Sequence, residues 1–174
     1  MSAYLNGPVR PLPARWPVLL LAAVVVGTLD MGLAMTFWGL HGVSPVRVLQ
    51  SVASGLLGPA ASDGGQASAL LGLLLHLSIA CLMVLAYDLV ALRLRWLVRR
   101  PALAGPLYGV VLYLVMTWVV VPLSAAPHAA ASPAWTVASV LSHVLLVGLP
   151  CALFVRAAQA PATVDAGVAM SGTP

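Results

Sequence analysis

The chain contains no lysine and no glutamate, and only 7% of its 174 residues are charged. A soluble domain carries about a quarter charged residues, so an ordinary water-solvated globule is excluded. Cysteine is nearly absent too: Cys81 and Cys151 each sit inside an apolar run, which excludes a secreted disulfide framework and points to reduced, structural thiols. A phosphate-binding glycine loop, a Gly-x-Ser-x-Gly elbow and a pair of catalytic carboxylates are all missing, so the sequence reads as that of a non-enzyme. Nor is there a basic surface interleaved with aromatics, and nucleic acid is not expected as a partner.

What fills the chain is hydrocarbon, with 61% of residues apolar. Four predominantly apolar segments, at about 16–38, 67–92, 102–122 and 133–155, each exceed the ~18 residues needed to cross a bilayer. The expected fold class is therefore all-α, an integral membrane four-helix bundle with the lipid bilayer as its main partner. Residues 1–158 form a single four-span domain, and the small, polar segment 159–174 reads as a disordered tail. Trp16 and Trp38 lie ~33 Å apart along a helix, close to the ~30 Å hydrocarbon thickness, and bracket the first segment as interfacial anchors. A cleaved signal peptide is the rival reading of that segment, but its apolar pattern continues past Asp30 with no convincing small-x-small cleavage site.

The positive charge of the chain is all arginine, and its placement gives a topology. Arg10, Arg15, Arg93, Arg95, Arg99, Arg100 and Arg156 fall on one side of the four segments, with Arg47 alone on the other. The positive-inside rule assigns the rich side to the cytoplasm, with both termini there. Asp63 and Asp88 fall near the membrane edges, where solvation or a neighbouring arginine accounts for them. His41 and His128 fall in the outer loops and read as solvated.

The outer loop between the first two segments carries a helical signal of its own. Ser44-Pro45 makes an N-cap and first turn, and Gly58-Pro59 a stop. Between them Val48, Leu49, Val52, Ala53, Leu56 and Leu57 follow helical spacing, with Arg47 and Gln50 largely off the stripe. A helix over 45–57 is too short to span. It either lies flat on the outer interface or dips back into the bundle as a re-entrant element.

Within the spans, polar groups are few and fall at one depth. Counted from the outer ends, Asp30, His76, Tyr113 and His143 are 8, 9, 9 and 8 residues in, or ~12–14 Å below the boundary. Asp30 shares its helix face with Ala23, Gly27 and Ala34, and His76 with Ala69, Gly72 and Ala80. Tyr113 lies with Gly109 and Thr117, and His143 with Thr136 and Ser139. Small residues mark faces where membrane helices approach closely, so the four polar side chains are expected to point inward as a buried layer. An unpaired carboxylate at that depth costs at least ~2.5–3.5 kcal/mol, and a histidine or the tyrosine hydroxyl is the expected partner of Asp30.

Three functions suit such a layer. First comes a hydrogen-bond network fixing helix register in a structural or accessory membrane component, alone or as a homo-oligomer or beside a membrane-protein partner. Second is a proton relay in a small channel or transporter, because intramembrane Asp and His are the residues that carry protons. Third is a haem or transition-metal site using His76, His143 and Asp30, a set lacking any local ligand motif; no cofactor is the leading expectation. Two further features are backbone ones. Gly105-x-x-x-Gly109 matches the close-packing pattern of membrane helices. Pro150 should kink the last span and free the Leu146 carbonyl near the His143 level.

The stretch from Gly27 to Pro59, with Gly-Thr-Leu-Asp and Arg-Val-Leu-Gln-Ser-Val-Ala-Ser-Gly-Leu-Leu-Gly, resembles uncharacterised small bacterial inner-membrane proteins. The resemblance runs on through His76 with Tyr87 and from Gly105 to Pro122. The last segment, Ser139 and His143 through Arg156, is similar to YagU-like membrane proteins, although the first loop differs from theirs. What the resemblance implies is a bacterial inner-membrane location and a multi-pass topology, with no catalytic residues to carry over.

Overall fold

The computed structural model describes residues 11–127 and 132–160. Among them the chain is helical, without strands. Four helices are long and apolar enough to cross a membrane: α1 (Leu12–Leu40), α3 (Gly65–Arg93), α5 (Pro101–Leu123) and α6 (Pro133–Gln159). Between α1 and α3 lies α2 (Pro45–Leu57), followed by a 3₁₀ turn over Gly58–Asp63; a single turn, α4 (Trp96–Arg99), joins α3 to α5. The molecule is an all-α, multi-pass membrane bundle.

Each span outruns its apolar segment. α1 begins at Leu12, where Pro11 and Pro13 set the first turn, and α6 continues to Gln159. Gln159 was expected to open the tail; instead it ends the last helix and is buried. The tail from 161 onward, together with Arg10 and His128, lies outside the described residues.

α6 is the central helix, packing against α1 and α5 and more lightly against α3; α1 also packs along α3. The buried core is made of small and β-branched residues, among them Ala22, Val26, Ala80, Val84, Ala91, Ala152 and Val155. Many leucines and Trp118 face outward, Leu19 and Leu112 being core exceptions. That inversion of the soluble pattern is what a lipid solvent permits: the tails are as apolar as leucine, so small residues go where backbones approach.

The tightest approach is between α5 and α6. A Cβ at Gly105 would come within 2.8 Å of Leu149 Cα, and one at Gly109 would collide with the His143 carbonyl. Gly148 answers them from the opposite helix, where any side chain would meet the Gly105 carbonyl. The glycine pair seen in the sequence is thus a true packing seam.

Both α5 and α6 widen into a π turn, over Met116–Val120 and Ser142–Gly148 respectively. Each is followed within two residues by a proline, Pro122 or Pro150. A proline has no N–H for the carbonyl four residues back and its ring presses on that carbonyl. A widened turn is the known accommodation. Ahead of Pro150, where a kink is expected, the helix has a π turn over Ser142–Gly148 that carries His143.

Candidate functional site: a polar cavity between the spans

α2 is held against the bundle at many points. Ser44 caps its first turn, accepting from the Arg47 backbone N–H at 3.4 Å, and Gly58 ends it with φ 61°. Its backbone passes so close to α3 that a Cβ at Gly72 would strike the Leu49 carbonyl. Gln50 is buried and donates to the Gly65 carbonyl (3.0 Å) and to Ser68 Oγ (3.3 Å), while Arg47 reaches the Ser62 carbonyl (3.2 Å). From its other side the Ala125 N–H binds the Gly55 carbonyl at 2.9 Å. Of the two placements open to it, α2 takes the one packed into the bundle mouth. Gly72 lies ~10 Å along α3 from Gly65, and the helix reaches that depth.

Beneath α2, between α3 and α5, is a cavity of about 350 Å³. Asp30, His76, Tyr113 and His143 all line it, one from each span, so the polar layer counted from four separate helices is a single site. A smaller space of about 160 Å³ adjoins, sharing Asp30, His76 and His143 and extending to Trp38 and Val48. Trp38 and Trp135 close this end through an aromatic cluster with Phe37, ring centres 5.1–5.4 Å apart. His41, expected to be solvated, is exposed but stacks on Phe37 at 4.7 Å.

The hydrogen bonds within the layer differ from those expected. Asp30 accepts from Ser142 Oγ at 2.6 Å, rather than from a histidine or tyrosine. His76 Nε2 meets the Gly27 carbonyl at 2.9 Å, and His143 Nδ1 meets the Ser139 carbonyl at 2.9 Å. Tyr113 stands edge-on to the His143 ring, centroids 5.8 Å apart. Since a carbonyl can only accept, each histidine donates from the nitrogen named; in a neutral ring the other nitrogen is an acceptor. Ser142 was missed because α-helical spacing places it off the His143 face. The π turn takes in an additional residue, so Ser142 and His143 both face the bundle.

Asp30, His76 and His143 line the cavity, but among the described residues no three His, Cys, Asp or Glu side chains are grouped to hold an ion.

The opposite, arginine-rich end is tied together by buried hydrogen bonds. Tyr108 on α5 donates to the Met83 carbonyl of α3 at 2.7 Å and packs edge-on against Tyr87, under the cavity floor. Below them Asp88, only 1% exposed, accepts from Arg15 Nη1 at 2.8 Å to both oxygens. Gln159 Nε2 donates to Asp88 Oδ1 (2.8 Å) and to its backbone carbonyl (3.1 Å), and Arg95 donates to Gln159 Oε1 at 2.8 Å. The neighbouring-arginine account of Asp88 holds and solvation does not: α1, α3, α6 and the α4 turn are joined there by one buried network.

Fold and site together define a multi-pass, all-α membrane protein with a mainly apolar cavity into which a few polar side chains converge. Comparison of the chain with known protein families, curated proteins and solved structures finds no match.

Proposed function

We propose that this protein is a non-enzymatic accessory component of a bacterial inner membrane that receives a small molecule in the cavity beneath α2. The observation that carries the proposal is the convergence of Asp30, His76, Tyr113 and His143 on one space of about 350 Å³. A layer that served only to fix helix register would satisfy its groups on one another, whereas here they border a volume in the ~300–1,000 Å³ range of small-molecule sites. By the positive-inside rule the arginine-rich end faces the cytoplasm, which puts both termini there and the cavity in the extracytoplasmic half. The resemblance to YagU-like proteins supports the bacterial location.

Native mass spectrometry of protein extracted in mild detergent tests this reading. A small molecule retained by wild type and lost from Ser139→Phe, whose ring would fill the cavity, is the expected result. Identical spectra from the two proteins would contradict it.

The arginine-rich end, tied by buried hydrogen bonds, favours a second reading, a proton-linked transporter resting open to one side. Flux into liposomes that depends on pH and is abolished in Asp30→Asn would support it over simple binding, and intact flux in that variant would remove Asp30 from the mechanism.

A further inference from the structure

The charge and hydrogen-bonding character of the cavity select among ligands. Resting on the reading of the cavity as a ligand site, we infer that its ligand is a protonated amine carrying an apolar substituent. Asp30 is the one acid among the described residues that line the space, and no arginine is among them. Arg47, the one arginine near α2, is turned to the Ser62 carbonyl instead. Among the described lining residues an anion would find no arginine to pair with.

The hydrogen-bond inventory leans the same way. Ser142 supplies Asp30 with one donor, on Oδ1, leaving Oδ2 as an acceptor. His76 and His143 have each committed one ring nitrogen to a backbone carbonyl, and in its neutral form each ring keeps its other nitrogen as an acceptor. A carboxylate with two imidazole acceptors is matched by a group with several N–H donors and a positive charge. An ammonium has both; an alcohol has one donor and no charge.

Around this acceptor set the walls are apolar, with Val26, Ile79, Met83, Met116 and Val147 among them. They suit an alkyl or aryl substituent, and methionines adapt to irregular shapes. Trp135 and Tyr113 also line the space, and aromatic faces attract organic cations.

Calorimetric titration of the protein in nanodiscs, with empty nanodiscs subtracted, tests the inference with three probes of one chain length: octylammonium, octanol and octanoate. Octylammonium should bind at least about tenfold more tightly than octanol, with octanoate weakest. Asp30→Asn should remove that preference, and Ser139→Phe should remove binding of all three. The wild-type comparison decides the charge preference without relying on any variant folding. If octanol or octanoate binds as well as octylammonium and Ser139→Phe still abolishes it, the cation assignment is overturned while the cavity remains a ligand site. If no probe shows binding sensitive to Ser139→Phe, the ligand-site reading falls with it.

Discussion

Asp88 is buried and Asp30 half-buried within the bundle, and their surroundings set different roles. Asp88 is fully enclosed by Arg15 and Gln159, so its charge is neutralised by structure. Truncating it to alanine leaves Arg15 buried without a counter-ion, a change that typically costs about 3–5 kcal/mol. Unfolding of Asp88→Ala in bicelles should show that loss, and the double variant Arg15→Leu with Asp88→Leu should recover most of it. Failure of the double variant to recover would mean that the Gln159 contacts dominate. Asp30, by contrast, has one hydrogen bond, from Ser142, and borders open space. Ser142→Ala should cost about 1–3 kcal/mol, the usual penalty for depriving a partly buried acceptor of its donor. An unchanged midpoint would show that Asp30 is satisfied from the cavity.

At this scale the sequence was legible where geometry is simple. Equal counts from the ends of antiparallel helices give equal heights, so Asp30, His76, Tyr113 and His143 could be placed together without knowing how the helices were ordered. Their bonding partners could not. Ser142 is off-face in any regular α-helix, and the Gly27 and Ser139 carbonyls carry no side-chain signal. Asp88 and Gln159 sit at span ends, where a sequence cannot separate a solvated rim from a buried lid.

Among the elements, α2 shows how much local chemistry can fix and where it stops. Its limits, Pro45 and Leu57, follow from a serine–proline start and a glycine stop. Its depth does not, because an amphipathic stripe suits either a lipid surface or a protein groove. Gly72 decides between them by letting the Leu49 backbone approach. Gly72→Leu should therefore lift α2 from α3 and expose the amides of residues 45–57, raising their hydrogen-exchange rates by about tenfold or more. Unchanged exchange would show that the Gln50 and Arg47 contacts suffice to hold it. The π turns in α5 and α6 are a similar case. Pro122 and Pro150 announce a disturbance from sequence, but whether a proline yields a kink or a widened turn depends on the neighbouring helix, and here the Gly105, Gly109 and Gly148 seam supplies that neighbour.

On the scale of the whole molecule the bundle is polarised. One end has a cavity roofed by α2 and an aromatic cluster; the other is tied together by two tyrosines and a four-residue ionic network. Water and solutes should therefore reach the polar layer from the α2 side alone. The direct measurement is thiol labelling of Ile79→Cys, a wall residue of the cavity, with Cys81 and Cys151 replaced by alanine and a small membrane-impermeant reagent applied to either face of oriented vesicles. The structure requires reaction from the α2 face and protection from the arginine-rich face. Reaction from the arginine-rich face, or from neither, would contradict a cavity open at one end.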